Sequence, residues 1–263
     1  MKEISLRDFQ KESAKQLNDL FLFFEKNDIK ACLSSGTLLG AIRHNGFIPW
    51  DNDIDLYISL DDYQKLVSIS HLLPGQFIFE DFYTNPKAHF GEGRIWVKKL
   101  YKSLYGYEEL INQNVDLFVT VNKQIEGVYN YIEYSKKIFK YTNIKMSNYW
   151  SKNIFKRFAK FILYPFLPNL KQFKKITQKK YARLKDGNEC VLTMFPCTDV
   201  PNVFKELNYS KVIKKRFEDY LLPVPNNYDD ILCTLYGNYM VPKIYDHCDA
   251  RKQKYFIQII DND

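Results

Sequence analysis

The sequence predicts an α/β chain, a mixed sheet flanked by helices. Two patterns carry that reading. Apolar residues at helical spacing alternate with short β-rich runs along the chain. Hydrophobic residues make up 46%, enough to fill a core behind such elements. The charge distribution adds a third feature, a basic and mostly helical insertion over residues 136–185 of a single domain spanning 1–263.

Taken in order, residues 8–27 place Phe9, Leu17, Leu20, Phe21 and Phe24 on one helical face. Residues 29–33 read as a short strand, and 37–43 as a helix after a Ser-Ser-Gly turn. Residues 53–59 read as a strand, followed by a helix over 61–69 capped by Asp61 or Asp62. The β-rich run 115–121 gives a further strand. Near the end, 228–236 reads as a helix stopped by Gly237.

Composition narrows the class. A chain of 263 residues and 31.4 kDa suits one large domain, with or without an insertion. The hydrophobic content excludes a wholly disordered chain. Ten Gly and ten Pro exclude collagen-like and Pro-rich repeats. The first ten residues carry Lys2, Glu3, Arg7 and Asp8 and offer no apolar leader. The longest apolar stretch, 158–170, is broken by Lys160, Pro165 and Pro168, and is short of the about 20 residues a bilayer requires. A soluble, cytoplasmic protein is expected, or one peripheral at the inner face of the cytoplasmic membrane. The five cysteines, Cys32, Cys190, Cys197, Cys233 and Cys248, are odd in number and widely spaced. A zinc site from Cys190, Cys197, His247 and Cys248 fits no common module, and buried free thiols are the expectation.

The net charge of +7 conceals an asymmetry. Residues 136–185 hold fifteen Lys and Arg and no Asp or Glu, so the rest of the chain sums to −8. Within that segment Ile154, Phe155, Phe158, Phe161 and Ile162 recur at helical spacing between basic residues. Such a stretch suits a solvated helix face packed on the body, or a surface for anionic lipid or a phosphate-bearing acceptor. No recognition motif accompanies the charge, so nucleic acid is not expected.

Chemistry concentrates in residues 34–58, SSGTLLGAIRHNGFIPWDNDIDLYI. In an extended run Asp51, Asp53 and Asp55 share one face, with Asn52, Ile54 and Leu56 on the other. Three carboxylates on one face repel unless a cation sits among them. Hard oxygen ligands suit Mg²⁺ or Mn²⁺. Taken alone, the run also reads as an exposed acidic turn. Upstream, Ser35, Gly36 and Thr37 follow a strand and open a helix, where backbone amides form an anion site and Gly36 admits close approach. Asp116, on the apolar strand 115–121, would be costly there without a partner. A phosphate cradle ahead of a paired-carboxylate strand is the order found in the nucleotidyltransferase-like fold.

GTLLGAIRHNGFIPWDNDIDL is similar to the signature of the LicD family, which includes bacterial phosphocholine transferases and resembles the catalytic region of fukutin-related proteins. Val115-Asp116-Leu117-Phe118 resembles the family's later Asp-hydrophobic-Phe strand. Phe217-Glu218, Pro223-Val224-Pro225, Tyr228-Asp229 and Tyr236-Gly237-Asn238-Tyr239-Met240 resemble its C-terminal pattern. Three positions depart from it. The usual Gly-Gly-Thr is Ser35-Gly36-Thr37, the second Asp of the acidic run is Asn52, and the Pro after Asp-hydrophobic-Phe is Val119.

The resemblance implies transfer of a phospho-alcohol, foremost phosphocholine from CDP-choline, to a hydroxyl of a cell-surface glycan, with CMP released. Asp53 and Asp55 would hold Mg²⁺ or Mn²⁺, Asp116 would complete the site and accept the hydroxyl proton, and Asp51 would be a further metal ligand or support the others. Ser35, Gly36 and Thr37 would cradle phosphate and Arg43 would offset developing charge. Trp50 suits stacking on the donor base or packing, and Glu218 suits acceptor hydroxyls or a solvated loop. His44, with no acid or nucleophile beside it, reads as structural. Transfer of ribitol phosphate, glycerol phosphate or phosphoethanolamine, nucleotidyl transfer, and a non-catalytic glycan- or membrane-binding role are the competing readings.

Overall fold

A computed structural model describes residues 1–81, 93–103, 110–146, 163–193, 203–243 and 249–258. The chain opens with β1 (Lys2–Ile4) and α1 (Leu6–Lys26). Ser5 caps the helix, its hydroxyl oxygen accepting from the Asp8 amide at 3.0 Å. Phe9, Leu17, Leu20 and Phe24 form the inner stripe of α1 and are buried.

The next elements are β2 (Ala31–Leu33), α2 (Ser35–His44), β3 (Ile54–Ser59) and α3 (Leu60–Ile69). Their bounds lie within a few residues of those expected. The cap of α3 is a correction. Ser59, still in extended conformation, is the N-cap and accepts from the Asp62 amide at 3.1 Å. Asp62 instead accepts from the Ser59 hydroxyl at 2.6 Å.

Then come β4 (Phe77–Asp81), β5 (Gly93–Ser103) and β6 (Leu110–Lys123), the last extending beyond the expected 115–121 at both ends. After them stand α4 (Val128–Met146), α5 (Leu170–Tyr181), β7 (Cys190–Thr193) and β8 (Val203–Phe204). The hairpin β9 (Ile213–Phe217) and β10 (Tyr220–Val224), α6 (Tyr228–Tyr236) and β11 (Tyr255–Ile257) complete the described elements. Gly237 ends α6 at φ 65°, a left-handed position that glycine occupies without strain.

Among the described residues nine strands share one sheet, with β1-β11-β5-β6-β3-β2 as its path. β4 pairs with the first part of β5, and β7 with the end of β6. β3 and β6 run parallel and the other pairs antiparallel, so the sheet is mixed. The parallel register sets Asp55 level with Asp116. On the other face Ile54, Leu56 and Leu117 are fully buried, which fixes the strands against a one-residue slip. Phe9 of α1 packs on Tyr255 of β11 with ring centroids 4.5 Å apart.

The described ends of the basic segment are helical. α4 and α5 pack through Phe139 on Phe173 and Tyr131 on Tyr181. Ile154, Phe155, Phe158, Phe161 and Ile162 lie outside the described residues. No helix among the described residues is long and apolar enough to cross a membrane. Cys32 and Cys190 are buried free thiols, as expected. Cys233 is a correction: it is exposed, following the core-facing Ile231 and Leu232 on α6. Cys197, His247 and Cys248 lie outside the described residues.

Candidate active site

The register of three neighbouring strands builds the centre of the site. Arg94 of β5 stands opposite Asp116 of β6, which stands level with Asp55 of β3. Residues in register across adjacent strands project to the same face. Only Asp55 of the acidic run lies within a strand, because β3 begins at Ile54. Asp51 closes a tight turn ahead of it, its Oδ1 accepting from the amides of Asn52 at 2.8 Å and Asp53 at 3.3 Å. Asn52 points away from the carboxylates. It is buried and donates to Gln253 at 2.7 Å and to the Tyr255 hydroxyl at 3.0 Å.

Three buried polar side chains fasten the backbone of this run. Gln10 of α1 donates to the carbonyls of Ile48 at 3.1 Å and Asp51 at 2.8 Å. Gln113 of β6 donates to the carbonyl of Asn52 at 2.8 Å. The Thr37 hydroxyl accepts from the Asp55 amide at 2.9 Å and donates to the Asp53 carbonyl at 3.3 Å. The Thr37 side chain is thus a staple between α2 and β3 rather than a free phosphate ligand. A loop held from three elements presents its carboxylates in one geometry before any ligand arrives.

The start of α2 has the form the sequence suggests, with a different reason for its glycine. The first intrahelical bond is Leu38 amide to Ser34 carbonyl at 2.9 Å, so the amides of Ser35, Gly36 and Thr37 have no acceptor within the helix. Ser34 Oγ is buried and has no hydrogen-bond partner among the described residues. A Cβ on Gly36 would meet Asp51 Oδ2 at 2.9 Å, so glycine here makes room for the Asp51 carboxylate. Ser35 takes φ 47°, the left-handed region that favours glycine.

The electrostatics separate the four carboxylates. Lys102 of β5, buried, places its Nζ 2.8 Å from Asp53 Oδ1. Its charge holds the exposed Asp53 below the usual carboxylate range. Arg94 Nε lies 2.5 Å from Asp116 Oδ1, with its guanidinium over the Trp96 ring at 4.9 Å. Burial nonetheless leaves Asp116 raised. Burial, then the charges of Asp116, Asp53 and Asp51, push Asp55 well up. Burial and the Asp53 charge push Asp51 up to about 6.

An all-oxygen donor set suits a hard cation such as Mg²⁺ or Mn²⁺. The like-charge excess on Asp55 is the observation that fits one. Lys102 and Arg94 already neutralise Asp53 and Asp116. Among the described residues no three His, Cys, Asp or Glu side chains stand close enough to hold an ion as they are.

A cavity of about 420 Å³ opens beside these carboxylates. Its lining includes Gly36, Arg43, Trp50, Asp51, Asp53 and Tyr236. Arg43 donates to the Tyr239 carbonyl at 2.6 Å, and burial lowers its pKa from the ordinary arginine value. Trp50 packs edge-on against His44, 6.1 Å between ring centroids. His44 accepts from Arg43 Nε at 3.4 Å and is lowered by burial and then by the Arg43 charge, in keeping with a structural role.

Glu218 stands apart from this group. It lines a second cavity, with His44, Phe47 and Arg7, across the connection between α2 and β3. Its carboxylate pairs with Arg7 and accepts from the Phe47 amide at 3.0 Å. A Cβ on Gly46 would strike it at 2.3 Å. Glu218 therefore braces the turn after α2 from the hairpin tip.

The structure thus gathers Asp51, Asp53, Asp55, Asp116, Ser35, Gly36, Thr37, Arg43 and Trp50 at one end of the sheet and leaves Glu218 outside. Lys102, Arg94, Gln10 and Gln113 were not legible as site residues in the sequence. Their positions depend on strand register and on α1, which no local pattern reveals.

A mixed sheet that sets carboxylates beside the start of a helix is an arrangement suited to phosphate-bearing ligands. Residues 28–227 match the family described as LicD/FKTN/FKRP, nucleotidyltransferase domain, and the chain belongs to that family of transferases. It is 28% identical over 255 residues to the lipopolysaccharide cholinephosphotransferase LicD of Haemophilus influenzae, covering 91% of this chain and 93% of that protein. A shorter stretch of 46 residues is 48% identical to uncharacterised proteins of Rickettsia prowazekii and Rickettsia typhi. It covers 18% of this chain and 17% and 15% of those proteins.

Proposed function

We propose that the chain transfers phosphocholine from CDP-choline to a hydroxyl of a cell-surface glycan and releases CMP. The similarity to a lipopolysaccharide cholinephosphotransferase along nearly the whole chain supports the chemistry. The observation that carries the reading at the site is the cavity itself. Trp50, Tyr236 and Tyr239, the cations Arg43 and Lys243, and the carboxylates Asp51 and Asp53 all line it. Aromatic faces suit a trimethylammonium head or a cytosine ring. Arginine and lysine suit the diphosphate.

In the proposed reaction the acceptor oxygen attacks the choline-bearing phosphorus, the bond from that phosphorus to the CMP oxygen breaks, and CMP leaves with the electron pair. Asp116, raised by burial, accepts the hydroxyl proton. The amides of Ser35, Gly36 and Thr37 orient phosphate oxygens, and Arg43 offsets charge on the leaving group. Asp55 and Asp116, with Asp53 and Asp51 beside them, would hold Mg²⁺ or Mn²⁺. The ion would supply charge neutralisation on the diphosphate.

The test is product analysis by mass spectrometry after incubation with CDP-choline, Mg²⁺ and lipopolysaccharide lacking phosphocholine. CMP and a phosphocholine-bearing glycan are expected. Ribitol phosphate, glycerol phosphate or phosphoethanolamine transfer from the corresponding CDP-alcohols, in place of choline, would change the donor and keep the mechanism. Pyrophosphate with a nucleotide adduct would replace the reading by nucleotidyl transfer. No product from any donor would leave a binding protein.

A further inference from the structure

We infer that residues 163–180 form a membrane-docking edge for a lipid surface rich in anionic headgroups. The short 3₁₀ turn Tyr164–Phe166 immediately precedes α5. It holds the most exposed large apolar side chain among the described residues, Phe166, at 83%. Leu163 beside it is 51% exposed. Leu167, the next residue, is buried, and its amide bonds the Leu163 carbonyl at 3.1 Å. The turn is therefore pinned from below while Phe166 is presented outward. Isolated exposed apolar residues are ordinary on a protein surface. A knuckle of consecutive ones, fixed by a buried neighbour, is the shape of an interfacial anchor.

The charge around the knuckle supplies the partner's chemistry. Asn169 starts α5 with a complete capping box to Gln172, so the helix begins directly behind the knuckle. Phe173 and Thr177 face inward and are buried, whereas Lys175 and Lys179, one turn apart, are exposed. Like charges at that spacing repel and weaken a helix. Here no acidic residue answers them anywhere between 136 and 185, where fifteen basic residues stand. On a chain whose remainder sums to −8, this is a local field looking for an anionic surface. A bilayer bearing anionic lipid answers both halves at once. Its headgroups meet the lysines, and its acyl boundary takes Phe166 and Leu163.

The experiment is cosedimentation of the full chain with vesicles of phosphatidylcholine containing phosphatidylglycerol, against vesicles of phosphatidylcholine alone. The chain is expected to sediment with the anionic vesicles only, less so as salt is raised. Leu163→Ser with Phe166→Ser should lower the partition coefficient about tenfold or more. Lys175→Glu with Lys179→Glu should lower it comparably, and Phe166→Trp should preserve it. All substituted positions are exposed, and unchanged melting temperatures would show the fold retained. Absence of sedimentation, equal partition onto neutral vesicles, or variants that bind like the parent chain would overturn the inference. So would a dimer in solution broken by Phe166→Ser, which would assign the knuckle to a second copy, or RNA binding through the same lysines without lipid binding. None of these readouts depends on transfer activity, so this inference and the proposed reaction stand or fall separately.

Discussion

Replacing Thr37 by valine removes one hydroxyl and keeps the shape of the side chain. In the native chain that hydroxyl accepts from the Asp55 amide at 2.9 Å and donates to the Asp53 carbonyl at 3.3 Å. Thr37 is 3% exposed, so water does not replace the lost partner. Orphaning a buried amide costs about 1–3 kcal/mol, and the longer contact to the carbonyl adds little. Thr37→Val should therefore destabilise the chain by about 2 kcal/mol. Thr37→Ser keeps the hydroxyl and loses one methyl group, about 1 kcal/mol. Urea unfolding measures both as shifts in midpoint at constant slope. The ordering is decisive. A valine variant as stable as the parent, or a serine variant less stable than the valine one, would refute the claim that the hydroxyl fastens α2 to the acidic run.

Gly36→Ala should leave the fold intact, since alanine suits a helix, but Asp51 must move about 0.5 Å to restore van der Waals contact from 2.9 Å. Transfer activity should fall about tenfold or more with an unchanged melting temperature, and unchanged activity would contradict the packing. Burial alone would raise Glu218, but the Arg7 pair and the Phe47 amide outweigh it and hold the carboxyl below its ordinary 4.5. A depressed folded pKa favours the folded state above the unfolded value, and that contribution is lost as pH falls through the folded one. Glu218→Gln should thus flatten the stability profile below pH 4.5, and a profile as steep as the parent's would count against the bracing role. Carbon-13 titration of the Asp51 carboxyl without metal should give a midpoint of about 6, raised further by Lys102→Met because the Lys102 ammonium pulls it down. A midpoint at the ordinary 3.8 would show that Asp51 is not buried beside Asp53.

Local patterns revealed much of this molecule. Helical periodicity located α1, and Gly237 marked the end of α6 to the residue. Alternation in Asp51–Asp55 separated Asn52, Ile54 and Leu56 from the carboxylate side, as the burial of all three shows. Asp116 was visible because a carboxylate on an apolar strand needs a partner. What stayed hidden was set by pairing between distant segments. Lys102 and Arg94 sit on β5, whose place beside β6 follows from sheet topology rather than from its own sequence. Gln10 resembles any polar residue of an amphipathic helix until α1 is packed against the acidic run. Gly36 was legible as a close approach, but not that the approaching group is Asp51. Glu218 followed a family pattern into the site, whereas the β9–β10 turn directs it to Arg7.

The central claim is that the Asp55–Asp116 pair and the adjoining aromatic cavity take a CDP-alcohol together with a divalent cation. Calorimetric titration of CDP-choline into the parent chain and into Asp55→Asn, each with Mg²⁺, tests it most directly. Saturable binding to the parent chain is expected, lost on chelation of the metal and in Asp55→Asn. Equal binding to both proteins, or binding of UTP in place of CDP-choline, would contradict it.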